Sequence, residues 1–215
     1  MKNLLVKEFT LALHQIVFVF PPLCALLLIP NWPYFIALGY IFIAYDIIFT
    51  VGKANQDIIF TVSLPIRKRD AVRARVYMVV AIELLQLIAA IPFAIIRNMI
   101  YHNGNMGGMN ANIAFFGCIL VMYAIFNITF LPMFYKTAHK TVIPVILAIS
   151  AVIVYVSGLE LAVHWVPFLQ IHLNPLGANR WISQLMVLIG GIGIFALLTA
   201  FAYQRAAQNF EKVDL

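Results

Sequence analysis

The chain has 215 residues, of which 64% are hydrophobic and only 10% are charged, whereas soluble domains contain about 25% charged residues. This composition excludes an ordinary soluble protein and indicates a chain that lies largely within a lipid bilayer. We expect no separate soluble catalytic domain, because spanning helices of about 20 residues each use most of the chain. The formal net charge is +6, but in a membrane protein the distribution of basic residues among the loops is more informative than their sum.

The first fifteen residues are predicted to form an amphipathic helix. Apolar side chains fall on one helical face and polar side chains on the other. The apolar face contains Leu5, Val6, Phe9, Ala12, Leu13 and Ile16, and the polar face contains Asn3, Lys7, Thr10 and His14. We therefore expect residues 1–15 to lie on the inner leaflet as an interfacial helix.

Six apolar segments follow, and each is predicted to cross the membrane as a helix. They cover residues 16–29, 34–51, 76–96, 112–134, 142–163 and 183–203. The first is short and contains Pro21 and Pro22, so we expect a kink or an irregular entry there. No small-residue cleavage site follows it, and we expect it to be retained. The predicted fold is an all-α, six-span membrane protein with a single transmembrane domain over residues 1–215.

The positions of lysine and arginine predict the orientation. With the N-terminus inside, only Arg97 and Arg180 of the 14 basic residues lie outside. Each of these two is at the end of a span, where a long side chain reaches the interface. Because cytoplasmic loops carry an excess of basic residues, both ends are predicted to be cytoplasmic in a multi-pass protein of the cell membrane.

Two connections on the outer side differ in composition. Residues 98–111 are rich in Asn and Gly, which favours a mobile loop. Residues 164–182 combine aromatic side chains with Pro167 and Pro175, which makes them too apolar for open solvent and too interrupted for a span. We expect this second segment to be interfacial or re-entrant and to pack on the bundle.

The sixth span also contains a cluster of small residues. Gly190, Gly191 and Gly193 lie close together, with Ala196 and Ala200 further along. Small residues at this spacing allow helices to approach closely in membranes. The pattern predicts tight packing either within the subunit or against a second copy.

The longest inner connection, residues 52–75, is the first candidate functional site. Its first half, residues 55–62, places apolar beside polar side chains, as in a short helix that docks on a protein surface. Ser63-Leu64-Pro65 then interrupts the chain, since the residue before a proline avoids helical geometry. The basic residues from Arg67 to Arg75 also allow a simpler interpretation, in which they only contact anionic lipid.

Two short motifs carry a resemblance to a known family. Met1–Glu8 has the form Met-Lys-x-Leu-Leu-x-Lys-Glu, and Ser63–Asp70 has the form Ser-Leu-Pro-Ile-x-(Lys/Arg)-x-Asp before the third span. With two spans between the motifs, the chain resembles the small six-helix permease subunits of the ABC-2 family of ABC exporters. The similarity in topology and length covers essentially the whole chain.

The resemblance implies a division of work among subunits in a bacterial cytoplasmic membrane. Two copies of a separate ATPase would drive transport, and two permeases, as a homodimer, would form the pathway for amphipathic peptides, antimicrobials or lipid-like compounds. The loop after the second span would form a coupling helix seated on the ATPase. The matching positions, and hence the expected ATPase contacts, are Asn55, Gln56, Asp57, Ile58, Ile59, Phe60, Thr61 and Leu64.

The residues themselves agree with this division. Gly52-Lys53 is followed by Ala54 and lacks an upstream glycine, so the chain has no P-loop of the form Gly-x-x-x-x-Gly-Lys-Ser/Thr. We therefore expect a non-enzymatic chain without a cofactor, with ATP and Mg²⁺ bound by the partner ATPase. Membrane lipid is an expected partner and nucleic acid is not.

Ionisable side chains within spans are costly, which makes Asp46 and Glu83 candidate functional residues. Both lie about 8 to 10 Å below the inner membrane surface at 1.5 Å per residue, and Asn127 lies at a comparable depth. We predict that the three form an acidic patch in an inner vestibule, favouring cationic amphipathic cargo. The alternative is that Asp46 and Glu83 pair with basic side chains that reach down from the interface. Those candidates are Lys53, Arg73 and Arg75.

Two other classes of function remain open. Glu160 and His164 are four residues apart near the outer end of the fifth span, with His172 nearby, as in a membrane-embedded, metal-dependent enzyme. No second acidic or histidine motif on another span accompanies them, and we predict no metal site. The third class is a membrane sensor or scaffold that transports nothing.

Overall fold

The structure is a computed structural model that describes residues 2–12, 18–63, 65–101, 104–137, 140–175 and 180–213. These residues form helices and no strands, which confirms the predicted all-α fold. Five segments are long and apolar enough to cross a membrane, so the chain is a multi-pass membrane protein. They are Tyr34–Ala54, Lys68–Ile100, Ile113–Thr137, Val142–Trp165 and Trp181–Glu211.

Helices α1 to α4 occupy the first third of the chain. Helix α1 (Lys2–Lys7) continues into a π-helical turn, Glu8–Ala12, and a 3₁₀ helix covers Pro21–Leu28. Helices α2 (Tyr34–Gly39) and α3 (Ile41–Ala54) meet at Tyr40 and form the first long segment. Helix α4 (Asp57–Ser63) then occupies the inner connection.

The remaining helices are longer, apart from α8. They are α5 (Lys68–Ile100), α6 (Ile113–Thr137), α7 (Val142–Trp165), α8 (Pro167–Leu173) and α9 (Trp181–Glu211). Helix α5 begins eight residues before the predicted span and α9 ends eight residues after it. Both extensions are polar, so the helices continue beyond the apolar part of the sequence that predicted them.

Helix α6 lies at the centre of the bundle. In the most apolar 18-residue stretch of α6, 67% of the residues are buried within the subunit, compared with 17% in the corresponding stretch of α7. Aromatic side chains of α6 interlock with those of α3: Phe126 stacks on Phe42 with ring centroids 4.2 Å apart, and Phe130 meets Phe49 edge to face at 4.8 Å. Phe126 and Phe130 are four residues apart and therefore share one helical face.

Helices α6 and α9 approach each other at two glycines. A Cβ on Gly191 would contact the backbone of Gly117, and a Cβ on Gly117 would lie only 2.6 Å from the carbonyl oxygen of Val187. Gly190 and Gly193 instead face open space, with nothing within 4 Å. The predicted tight packing therefore occurs within the subunit at Gly191.

The predicted first span is where the structure differs most from a regular helix. Residues 16 and 17 lie outside the described residues, and residues 21–28 form a 3₁₀ helix that begins at Pro21. The flanking residues nevertheless lie at opposite ends of α5. Lys7 pairs with Asp57, which lies in α4, just before the start of α5. Asn31 instead accepts a hydrogen bond from the N–H of Met106, which lies just after the end of α5. The described residues on either side of this segment thus lie at opposite ends of the bundle, and six crossings remain our prediction.

Contacts near the start of α5 bring both ends of the chain to one side. Lys68 Nζ donates to the carbonyl oxygen of Val213 at 2.7 Å, and Arg69 pairs with Glu211 at 2.6 Å. The N-terminal Lys7 contacts α4 on the same side. The assignment of this side to the cytoplasm remains a prediction from the basic residues.

The outer connection after α5 is held by many hydrogen bonds, although its composition led us to expect a mobile loop. Asn105 Nδ2 donates to the Trp32 carbonyl at 2.9 Å, and the Met109 N–H donates to the Glu160 carboxylate at 2.9 Å. Asn112 Nδ2 donates to a carbonyl at the end of α8 at 2.7 Å. Two asparagine amides and one carboxylate thus satisfy backbone groups and tie the outer ends of the bundle together.

Helix α8 occupies part of the outer segment 164–182. None of its side chains is buried, and Phe168 and Ile171 are exposed. Residues 176–179 lie outside the described residues. The exposed apolar surface of α8 favours the interfacial form of the prediction.

We expect Gly191→Ala to destabilise the protein and Gly190→Ala to leave it unchanged or more stable. Alanine favours a helix over glycine at both positions, but only at Gly191 does the added methyl group meet the backbone of α6. Such overpacking costs about 1 to 3 kcal/mol. Thermal unfolding in detergent measures the difference, and equal effects of the two substitutions would contradict the described packing.

Candidate functional site

Four charged side chains meet at the inner end of α5. Lys7 Nζ pairs with Asp57 and lies 3.3 Å from Glu8 Oε1. Arg75 Nε lies 2.5 Å from Glu8 Oε2, and Arg75 Nη2 pairs with Asp57 Oδ2. We call Lys7, Glu8, Asp57 and Arg75 the inner charge cluster. It joins the N-terminal segment, α4 and α5.

The inner charge cluster is largely removed from solvent. The exposed fractions of its side chains lie between 3% and 13%. Buried charges are stable only when the attraction between them repays their lost hydration, which requires close partners for each. Two cations and two carboxylates meet this condition here. Arg75 also lies over the Phe49 ring at 5.4 Å, a favourable position for a cation.

Helix α4 coincides closely with the helix predicted over residues 55–62. Asn55 and Gln56 form the exposed turn before it, and Gln56 has φ of 53°. This left-handed conformation costs a residue with a Cβ about 1 to 2 kcal/mol and ends α3 sharply. Leu64, the last of the predicted contacts, lies outside the described residues.

The two faces of α4 have different surroundings. Thr61 is buried and accepts a hydrogen bond from Lys7 Nζ at 2.6 Å, and Ile58 packs against the hydrophobic core. Ile59 and Phe60 instead face outward, with 56% and 54% of their surface exposed. The predicted contact residues therefore divide into an inward set, Asp57, Ile58 and Thr61, and an outward apolar pair.

Sequence reasoning missed the other members of the inner charge cluster. Residues 1–15 were expected to lie on the membrane surface, and no contact of theirs with the inner connection was predicted. Arg75 was considered as a contact of anionic lipid or as a partner for Asp46 or Glu83. The available signal was the Lys7-Glu8 pair in the first family motif, which places opposite charges beside each other. Nothing in the local sequence indicates that Arg75 is their partner.

A second polar cluster lies deeper, between α5, α6 and α9. Asn127 Nδ2 donates to the two carboxylate oxygens of Glu83 at 3.0 and 3.1 Å. The same nitrogen lies 3.5 Å from Thr199 Oγ1. Glu83 and Asn127 are fully buried. The structure thus brings together two of the three predicted vestibule residues.

Asp46 is not part of this deeper cluster. It is partly exposed on α3, and the described ion pairs do not include it. Neither it nor Glu83 has the basic partner that the alternative interpretation required. Arg75 is bound in the inner charge cluster, and Arg73 donates to the Tyr77 hydroxyl at 2.9 Å.

The residues proposed for a metal-dependent enzyme have other partners. Glu160 accepts its hydrogen bonds from the Met109 N–H, His164 is exposed, and His172 Nε2 lies 2.7 Å from Arg180 Nη1. Among the residues that the structure describes, no three His, Cys, Asp or Glu side chains are grouped closely enough to hold a metal ion. The geometry therefore gives this alternative no support.

We expect Arg75→Met to reduce the free energy of unfolding by about 3 to 5 kcal/mol, because Glu8 and Asp57 would remain buried with Lys7 alone to balance two negative charges. Unfolding in mixed detergent measures this loss. Arg67→Met is the matched control, since Arg67 is exposed at the start of α5. Equal losses in the two variants would show that the inner charge cluster contributes nothing specific.

Comparison with known proteins agrees with the arrangement of apolar helices around an inner connection. The family model described as ABC-2 family transporter protein matches residues 3–211. No curated protein and no solved structure gives a match. Members of this family are membrane components of transporters, and ABC-2 permeases work with ABC ATPase partners. The chain therefore belongs to the ABC-2 transporter family, as the resemblance of its two motifs predicted.

Proposed function

We propose that this chain is the permease subunit of an ATP-driven exporter and that its ATPase partner moves the bundle through α4. The observation that carries the proposal is the division of α4 into two faces. Its outward face presents Ile59 and Phe60, which are apolar and exposed on a side rich in basic residues. Its inward face holds Asp57 in the inner charge cluster.

The outward pair suits a protein partner better than a lipid surface. Aromatic and aliphatic side chains that insert into a partner's pocket supply much of the binding energy at protein interfaces. They occupy a seven-residue helix, which is short enough to enter a cleft on an ATPase. A helix that only rested on anionic lipid would be expected to direct its basic residues outward, whereas α4 itself contains none.

The inward face supports transmission of movement. Asp57 pairs with Arg75 on α5, and α5 has 33 residues, corresponding to a length of about 50 Å. At its far end Arg97 donates to the Tyr34 hydroxyl at 2.8 Å and to the Gly104 carbonyl at 2.6 Å. A displacement of α4 would therefore act on a continuous helix that is bonded to the outer connection.

In this proposal two permeases and two ATPase subunits form the transporter, as in the family that the chain resembles. Each permease presents one α4, so two copies offer two equivalent docking sites, one for each ATPase subunit. We propose a homodimer, with amphipathic peptides, antimicrobials or lipid-like compounds as cargo. Export is the direction that the resemblance favours.

The predicted vestibule residues can contact cargo only after a change in the packing of the helices. Glu83 and Asn127 are buried within one subunit, so cargo reaches them only when the surrounding helices move apart. Thr199, which is close to Asn127, lies on α9 and also lines a groove between α5 and α9. Movement of α6 away from α5 and α9 would expose the carboxylate to an amphipathic cation.

Phe60→Asp is expected to reduce co-purification of the ATPase with the permease by about tenfold or more, because loss of one aromatic anchor typically costs at least 1.4 kcal/mol at an interface. A tagged permease is expressed with its cognate ATPase, and the retained ATPase is quantified. Gln208→Asp is the control, since it adds the same charge at an exposed inner position of α9.

A permease that purifies alone, with α4 intact, and that transports nothing when the ATPase is supplied would contradict the proposal. An equal loss of ATPase from both variants would show that the added charge, and not the outward face of α4, determines the result.

Replacement of Asp46 by Asn together with Glu83 by Gln tests the acidic patch. We expect the concentration of a cationic amphipathic peptide that half-maximally stimulates ATP hydrolysis to rise by about tenfold, since a hydrogen bond to a charged group contributes about 1.5 to 3 kcal/mol. Asp70→Asn removes a charge outside the patch and serves as the control. Unchanged stimulation and transport in the double variant would remove these residues from the cargo pathway while leaving the role of α4 intact.

A further inference from the structure

A groove of about 580 Å³ runs along the surface of the bundle between the inner halves of α5 and α9. Its walls are apolar and are formed by Val76, Val80, Phe195, Ala196 and Ala200. Polar side chains are concentrated toward its inner end, where Arg73, Tyr77 and Tyr203 line it. The groove is separate from α4 and from the inner charge cluster.

The spacing of the lining residues explains why the two helices leave this space. On α5 they recur at positions 73, 76, 77 and 80, and on α9 at positions 195, 196, 199, 200 and 203. Each set follows the helical repeat and forms one face. The two faces oppose each other, but Ala196 and Ala200 have side chains too small to fill the gap.

Arg73 is the cation at the mouth of the groove. Its Nε donates to the Tyr77 hydroxyl at 2.9 Å, and its guanidinium lies 5.4 Å from the Tyr77 ring centre. Within the described part of the chain no carboxylate lies within 4.0 Å of it. Asp70 lies one helical turn before Arg73 but makes no such pair, and Glu211 is paired with Arg69. The two terminal nitrogens of Arg73 also form no described hydrogen bond.

We propose that this groove binds one anionic phospholipid of the inner leaflet, with its phosphate on Arg73 and an acyl chain along the apolar walls. A guanidinium can donate two parallel hydrogen bonds to a phosphate. Arg73 and Val80 are seven residues apart, which corresponds to about 10 Å along the helix. This length covers about two thirds of one leaflet. The proposal depends on the predicted orientation and not on transport activity.

Charge distinguishes this occupant from the two others that an apolar groove could hold. A cationic amphipathic cargo would be repelled by Arg73. A second copy packed groove against groove would bring the two Arg73 side chains together, since a twofold contact pairs the same surface of each subunit. An anionic headgroup attached to an apolar chain matches both ends of the groove.

The test uses the full chain in nanodiscs that contain equal amounts of phosphatidylglycerol and phosphatidylcholine, followed by native mass spectrometry of the released protein. We expect wild type to retain one phosphatidylglycerol with about fivefold preference, and Arg73→Gln to lose this preference. Arg67→Gln is the matched control, because Arg67 is basic and exposed near the same surface but does not line the groove. Its preference should remain.

A second variant tests the apolar wall without changing the charge. Ala196 is exposed to the groove, so Ala196→Phe is expected to fold and to lower the retained phosphatidylglycerol at least threefold. Equal retention of both lipids by wild type would overturn the proposal. So would equal losses in Arg67→Gln and Arg73→Gln, which would indicate diffuse attraction. Conversion of dimers to monomers by Ala196→Phe with no change in bound lipid would assign the groove to a second copy.

Discussion

Four charges lie at the inner end of α5, where water reaches them little, and each is stable there only beside an opposite charge. This constraint fixes the relative positions of three elements that are far apart in sequence. Lys7 and Glu8 must lie beside α4, and α4 must lie beside Arg75. The position of α4 on the bundle therefore follows from electrostatic pairing as well as from apolar packing. In the proposed mechanism this pairing is what lets α4 transmit displacement, because separating it from α5 would leave Arg75 without one of its two buried carboxylate partners.

Hydropathy predicts the five long apolar helices well and their ends less well. Hydropathy averaged along the sequence identifies only the part of a helix that lies in the hydrocarbon of the membrane. The start of α5, Lys68 to Arg75, and the end of α9 are polar, yet arginine, alanine, glutamine and glutamate form helices readily. These helices therefore continue past the apolar limit. The prolines at 21 and 22 were correctly interpreted as a source of irregular structure, since a 3₁₀ helix begins there.

Contacts between distant residues account for what sequence could not predict. The α4 segment was located from local signals, namely its mixed polarity and the interruption at Pro65. The pairing of Glu8 with Arg75 depends on how the helices assemble. Glu83 and Asn127 were grouped by depth alone, and their contact shows that depth is informative when two residues face the same helix interface. Asp46 has a comparable depth but lies apart from that interface, and depth carries no information on the direction of a side chain.

The two faces of α4 separate two properties of one short helix: the proposed recognition of the ATPase and the contacts with the rest of the permease. In the proposed arrangement, substitutions at Ile59 and Phe60 would alter which ATPase is recognised without disturbing Asp57 or Thr61, whose contacts lie within the permease. Conversely, the inward residues could be adjusted together with their partners without loss of the proposed docking surface. If α4 has this role, partner choice and internal mechanics can diverge independently between related transporters, within a helix of only seven residues.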